Sequence, residues 1–191
     1  MEDTVVFLDG AYLSLITKHF GERGNYLSVD IHQFAITIAK NQGLWCREVY
    51  YYTSPPFQAE PPTVDEKERR RKYDKFVSQL QRIPGLTVRE GRCQKLDDGY
   101  HQKGVDTLLT MDLLSLCSTK DIRTIIILTS DTDFVPLLNE IRKKGIRVIL
   151  YYYNDFIRGS KFSMSNHLLT ACDSGILITK EMLLRSIKRP V

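Results

Sequence analysis

Four aspartates lie beside apolar segments, in positions that could bring their carboxylates together. Each one follows a predicted buried strand or begins a predicted buried helix, and they are Asp9, Asp106, Asp131 and Asp133. Carboxylates within a few Å of each other repel and raise one another's pKa, so a cluster requires protons or a cation. Mg²⁺ and Mn²⁺ prefer oxygen ligands and keep several waters. Such an ion could activate water for in-line attack on a phosphodiester, and two ions about 3.5–4 Å apart could share the work.

The hydrophobic pattern predicts the elements that would position these aspartates. Short, fully apolar runs at 5–8 and 124–128 indicate strands buried on both faces of a parallel sheet. The other predicted strands are 45–53, 86–93, 146–153 and 176–178. The predicted helices are 13–20, a segment after Asp30, 65–80, a segment ending at Cys117, 134–144, 163–172 and 180–187. We therefore expect one domain over residues 1–191, an α/β fold of three layers (α/β/α) with a mostly parallel central sheet of five to six strands.

Two stretches between these elements are predicted to be loops. Residues 54–63 contain four prolines, and residues 94–102 are polar and include the turn signal Asp97-Asp98-Gly99. The helix that ends at Cys117 has so few polar positions that we expect it to be buried on most sides.

The order of the strands decides whether the aspartates meet. In an open α/β sheet, ligands bind beyond the carboxyl ends of the strands, where the strand order reverses. If the order is 3-2-1-4-5, the first and fourth strands are neighbours, and Asp9 lies close to Asp131 and Asp133. The order 2-1-3-4-5 would separate them by one strand and weaken this interpretation.

Each aspartate also has an ordinary structural explanation. Asp106 could merely complement the dipole of the helix that it begins. Ser130 or Asp131 could cap the helix that starts near Asp133. The occurrence of four acids at two strand ends and one helix start favours a functional cluster.

Composition limits the other kinds of function. Cysteines at 46, 93, 117 and 172 form no CxxC pair and the four histidines are scattered, so no zinc site is predicted. The net charge of +4 permits a nucleic-acid partner without requiring one. No targeting signal and no apolar stretch long enough to span a bilayer is visible, so we expect a cytoplasmic protein without a membrane partner. A homo-oligomer remains open.

Three segments resemble the signature segments of the NYN (LabA-like) branch of the PIN-like nucleases. They are the segment 7–13 (FLDGAYL), the segment 103–106 (KGVD) with Asp112 further on, and the segment 130–137 (SDTDFVPL). The resemblance runs from Val5 to about Ile178 and has the segments in the expected order.

The resemblance implies a ribonuclease that uses Mg²⁺ or Mn²⁺. The four aspartates would be both the catalytic residues and the metal ligands, and water as the nucleophile would leave products with a 5′-phosphate. Many family members carry Asn three residues after the first aspartate, whereas this chain carries Tyr12. The loss of that amide removes a contact to the substrate or to a metal-bound water.

Several residues are candidates for contact with RNA. The predicted substrate-binding residues are Tyr12, Lys103, Ser130, Arg158 and Lys161. Lys103 would meet a phosphate as a point charge, and the last two follow the fifth predicted strand on the catalytic side. The basic run 69–72 is typical of the solvated face of a helix; as a functional patch it would make RNA binding sensitive to salt.

Three further aspartates are not assigned to catalysis. Asp112 falls about 240° around its helix from Asp106, and an unpaired charge there would be costly, so we favour a buried structural partner. Asp155 follows the fifth predicted strand, and Asp173 precedes Ser174-Gly175 in a predicted turn.

Two other functions compete with the nuclease. A phosphatase of the haloacid dehalogenase type would need a second aspartate two residues after Asp9, where this chain has Ala11. A non-catalytic RNA-binding or regulatory module on the same fold is the stronger alternative, and Tyr12 is its main support.

Overall fold

The structure, a computed structural model, describes residues 1–22, 24–97, 99–119, 122–157 and 159–187. Its strands are β1 (Glu2–Asp9), β2 (Leu44–Thr53), β3 (Leu86–Glu90), β4 (Arg92–Leu96), β5 (Gly99–Lys103), β6 (Thr124–Leu128), β7 (Arg147–Tyr152) and β8 (Ser174–Leu177). Its helices are α1 (Gly10–Phe20), α2 (Ile31–Lys40), α3 (Val64–Leu80), α4 (Val105–Thr119), α5 (Val135–Lys143), α6 (Asn166–Thr170) and α7 (Lys180–Leu184). No helix within these ranges is long and apolar enough to cross a membrane.

Six strands form one parallel sheet in the order β3-β2-β1-β6-β7-β8. The first and fourth predicted strands, β1 and β6, are therefore neighbours, which confirms the order that brings the aspartates together. In their register Leu8 pairs with Leu128, so both strands end at the same edge of the sheet. The α/β fold with a central parallel sheet is confirmed.

The apolar strands separate two cores, one on each face of the sheet. Val6 and Leu8 belong to the core under α1 and α2, whereas Val5 and Phe7 belong to the core under α4 and α5. This division follows from the alternation of side chains along a strand. All four side chains are fully buried, and each contributes roughly 1.5–3 kcal/mol by leaving water.

A separate two-stranded antiparallel ribbon follows the edge strand β3 in the chain. The predicted strand 86–93 ends at Glu90. Residues 94–96 and 99–102, within the stretch predicted as a loop, instead pair in β4 and β5, and Asp98 of the predicted turn lies outside the described residues. Gly91 permits the end of β5 to pass close to the chain between β3 and β4, because an added Cβ would lie 2.5 Å from the carbonyl oxygen of Lys103. The loop prediction was wrong because the ribbon is held by backbone pairing of polar residues, which produces no hydrophobic signal.

The helix α4 is more exposed than its composition predicts. Met111 is 61% exposed and Leu114 is 44% exposed, whereas Leu109 and Leu113 are buried against the sheet. The expectation that this helix is buried on most sides was therefore wrong. A helix that lies on one side of a sheet buries a single stripe, whatever residues occupy its outer face.

Asp112 is a buried structural partner, as predicted. Its Oδ2 accepts hydrogen bonds from the Tyr52 hydroxyl at 2.9 Å and from Arg89 Nε at 2.8 Å. Arg89 also donates to its Oδ1 through a second nitrogen. This paired arrangement ties α4 to the ends of β2 and β3.

Replacing Asp112 by alanine should lower the free energy of unfolding by about 2 kcal/mol, because the Tyr52 hydroxyl and the Arg89 guanidinium lose their charged acceptor. Urea denaturation measures the change. Asp112→Asn keeps an acceptor for Tyr52 and should lose less. A free energy of unfolding that is unchanged in Asp112→Ala would contradict the structural role.

Candidate functional site

Asp9 joins the end of β1 to the start of α1. Its Oδ1 accepts hydrogen bonds from the backbone N–H groups of Ala11 at 2.9 Å and Tyr12 at 3.1 Å, so it caps the helix. Burial raises the pKa of Asp9 to about 6, against the lowering effect of these hydrogen bonds. The negative charges of Asp106 and Asp131 raise the pKa further. Asp9 is thus fixed in position and electrostatically strained.

Asp131 and Asp133 follow the end of β6. The buried hydroxyl of Thr129 accepts a hydrogen bond from the Asp131 N–H at 3.1 Å. Asp131 Oδ1 in turn accepts from the Asp133 N–H at 2.9 Å and caps a short 3₁₀ turn over Thr132–Phe134. This sequence of hydrogen bonds holds Asp131 at the edge of the sheet, while Asp133 is exposed.

Asp106 lies in the first turn of α4 and is exposed to solvent. Local desolvation raises its pKa, and the charges of Asp131 and Asp133 raise it further. The charges of Asp106 and Asp131 likewise raise the pKa of Asp9, so each of the four carboxylates lies close enough to at least one of the others to influence it or be influenced by it. The structure therefore brings all four sequence-predicted acids to one edge of the sheet.

These side chains do not form a closed metal cage. Among the described residues, no group of three or more His, Cys, Asp or Glu side chains is arranged to hold a metal ion. The capping bonds of Asp9 and Asp131 use Oδ1 of each carboxylate, which leaves Oδ2 for a further partner. An all-oxygen donor set with mutual repulsion fits a divalent cation that keeps several waters.

The family of the chain is shown by its sequence. A family model described as "NYN domain" matches residues 3–179. The chain belongs to the NYN domain family. NYN domains are members of the PIN-like nuclease superfamily.

The fold of this NYN domain is also found in a solved structure. It is similar to the crystal structure of a protein of unknown function from Vibrio parahaemolyticus, with a TM-score of 0.59 and 14% sequence identity. The alignment covers 94% of this chain and 95% of that one, and at this identity the likeness concerns the fold alone. A comparison with curated proteins finds no match.

Tyr12, at the position where many NYN domains have asparagine, is a core residue here. It is 4% exposed, and its hydroxyl donates to the Tyr153 carbonyl at 3.1 Å and accepts from the Tyr153 N–H at 2.9 Å. Burial raises the pKa of Tyr12 to about 12. The contact with RNA that the sequence suggested is corrected to a structural role, because the hydroxyl is occupied by the backbone after β7.

The other residues that were predicted to contact RNA differ in their exposure to solvent. Lys103 is exposed at the end of β5, and half-buried Ser130 directly precedes Asp131. Lys161 is exposed, with Nζ 5.3 Å from the centre of the Phe162 ring. Arg158 lies outside the described residues.

Two other aspartates stay apart from the cluster. Asp155 accepts hydrogen bonds from the Ile157 N–H at 3.1 Å and from the Ser160 hydroxyl at 2.7 Å. The bond from Ser160 is the main cause that lowers the pKa of Asp155. Asp173 binds Arg142 and the N–H of Val148 near the start of β7, at the opposite edge of the sheet. Neither is among the charges that raise the pKa of Asp9 or Asp106.

Two residues that support the site were not singled out by sequence reasoning. Thr129 positions Asp131 through its buried hydroxyl. Gly10 lets α1 start against β2, because an added Cβ would lie 2.5 Å from the carbonyl oxygen of Tyr52. A small or hydroxyl residue within two positions of an aspartate at a strand end is the signal that could have indicated them.

Replacing Asp9 by asparagine should stabilise the metal-free protein above pH 6. The pKa of Asp9 is about 6 in the folded protein, above its ordinary value of 3.8, so ionisation of Asp9 destabilises the fold as the pH rises between these values. Asparagine removes the charge and keeps the helix cap. The gain in the free energy of unfolding should be small near pH 4 and reach up to about 3 kcal/mol above pH 6.

Urea denaturation in EDTA at pH 4 and pH 7.5 measures this difference. Asp30→Asn is the matched control, because Asp30 caps α2 by accepting from the Gln33 N–H at 2.9 Å. A difference between Asp9→Asn and the wild type that does not change with pH would show that the charge of Asp9 is not the cause.

Proposed function

We propose that this NYN domain is a divalent-metal-dependent ribonuclease that hydrolyses phosphodiester bonds in single-stranded RNA. Its catalytic and metal-binding residues would be Asp9, Asp106, Asp131 and Asp133. The observation that carries the proposal is that β1 and β6 are neighbours and end at the same edge of the sheet, where the charges of nearby aspartates raise the pKa of Asp9 and of Asp106. Acids whose charges raise the pKa of Asp9 and Asp106 are typical of a functional site that binds a cation.

The residues divide into two kinds. Asp9 and Asp131 are fixed by their capping bonds and would present Oδ2 to the ion. Asp106 and Asp133 are exposed and would complete the site from the side on which RNA approaches. When bound, Mg²⁺ or Mn²⁺ would supply Lewis-acid stabilisation of the phosphate and lower the pKa of a bound water.

A non-catalytic RNA-binding module is the second candidate. Two observations favour it: the described residues hold no ready-made set of three metal ligands, and the position of the family asparagine is a buried tyrosine. RNA binding without cleavage in any divalent metal would support this candidate.

Asp131→Asn should abolish cleavage, with a loss of about 100-fold or more, because one charged ligand disappears from a preorganised electrostatic site. Asparagine can still cap the 3₁₀ turn, so folding should be retained. The assay follows a labelled single-stranded RNA in Mn²⁺, with EDTA as the metal-free condition. Asp30→Asn should cleave normally, and equal activity of Asp131→Asn and the wild type would point to another site.

Mn²⁺ should also stabilise the fold independently of activity. At 100 times its dissociation constant, an ion that binds only the folded protein adds about 2.7 kcal/mol to the free energy of unfolding. The effect should weaken as the pH falls through 6, since Asp9 must lose its proton to bind metal. Thermal unfolding with and without Mn²⁺ measures it, and the same stabilisation in Asp9→Asn/Asp131→Asn would place the ion elsewhere.

A further inference from the structure

The ribbon formed by β4 and β5, residues 92–103, is a surface that the proposed catalytic chemistry leaves without a role. It leaves the sheet after the edge strand β3, and its second strand leads through Gly104 directly into α4. At its base, the Gly91 N–H donates to the carbonyl oxygen of Thr53 at 2.8 Å. Because β3 ends at the carboxyl edge of the sheet, the ribbon arises at the same edge as the four aspartates.

One face of the ribbon carries two positive charges in directly opposite positions. Arg92 lies directly opposite Lys103, and Gln94 lies opposite His101; these four side chains share a face. Two like charges in directly opposite positions destabilise a ribbon. Among the residues that the structure describes, neither Arg92 nor Lys103 has an ion-pair partner. An anion over this face would remove the repulsion.

The charge pair lies near the carboxylates. Lys103 precedes Asp106 by three residues, so their Cα atoms are at most about 11 Å apart. Directly opposite residues in an antiparallel pair have Cα atoms about 4.5–5.5 Å apart, so Arg92 is close as well. Two exposed cations therefore lie within reach of a phosphate chain that is bound at the carboxylates.

The other face of the ribbon is held by the body of the protein. Tyr100 packs against Phe57 with ring centroids 5.5 Å apart, and Phe57 belongs to the proline-rich segment 54–63. A two-stranded hairpin alone is only marginally stable in water, so this contact helps to fix its orientation. The face with Arg92 and Lys103 remains exposed.

We propose that the Arg92–Lys103 face of the ribbon binds phosphates of the RNA strand next to the scissile position. This inference rests on the proposed function, since four carboxylates would otherwise repel a polyanion. The face offers two cations and the Gln94 amide along an extended strand, and it contains no carboxylate. Repeating phosphates of a single strand match that arrangement better than an isolated anion does.

The test measures binding of a fluorescein-labelled single-stranded RNA in EDTA over a series of KCl concentrations. In Arg92→Gln/Lys103→Gln, we expect weaker binding at low salt and a salt dependence of log K that is shallower by about 1.4, because each phosphate contact on a single strand contributes about 0.7. The control Lys40→Gln/Lys144→Gln removes the same charge at the opposite edge of the sheet, where both lysines are exposed. Its slope should equal that of the wild type.

The fold is checked by thermal unfolding, and the ribbon variant should be at least as stable as the wild type because its like-charge pair is gone. An unchanged slope in the ribbon variant, or an equal change in both double variants, overturns the proposal. The proposal is also overturned if the ribbon variant binds polyglutamate more weakly than the wild type but binds RNA equally well. That result would favour an acidic protein as the partner of the ribbon. Cleavage by Asp131→Asn is scored separately, so a failure of the ribbon and a failure of the nuclease are distinguishable.

Discussion

The parallel pairing of β1 with β6 is the constraint on which the rest of the site depends. Because Leu8 pairs with Leu128, the chain segments that follow both strands leave the sheet side by side. Asp9 and Asp131 are then neighbours whether or not their charges favour it. The fully buried apolar side chains of the two strands supply the free energy that holds this arrangement against the repulsion between the acids. Asp106, in the first turn of α4, joins them from the helix layer on one face of the sheet.

The structural and the functional explanations of these aspartates are compatible. Asp9 and Asp131 each cap a helical turn through Oδ1. A cap fixes a carboxylate without neutralising it, because the second oxygen and the negative charge remain. The raised pKa of Asp9 shows that the cap does not remove the cost of burial and of neighbouring charge. An aspartate at or shortly after the end of a buried strand therefore starts a helical turn in both places and keeps its second carboxylate oxygen available.

Much of this arrangement could be predicted from the sequence, since apolar runs and strand-end acids leave strong patterns. The pattern alone allowed two strand orders, and backbone pairing decided between them. The ribbon over 92–103 was missed because its pairing involves polar residues with no periodic hydrophobic signal. Tyr12 was misjudged because its partner, the backbone of Tyr153, lies 141 residues away in the chain. Contacts of that kind depend on the fold and cannot be read from local spacing.

Charge at this edge has to be judged locally. The net charge of +4 is spread over the chain, and ions screen exposed charges beyond about 8 Å at physiological salt. Arg70 and Arg71 on α3 are already paired with Asp74 and Glu68, as expected for a solvated helix face, so they offer little field to a distant phosphate. A polyanion that approaches the carboxylates is therefore governed by cations within a few Å of its path. Arg92 and Lys103 meet that requirement, because they are exposed near the start of α4 and have no ion-pair partner among the described residues. The paired arginines of α3 do not.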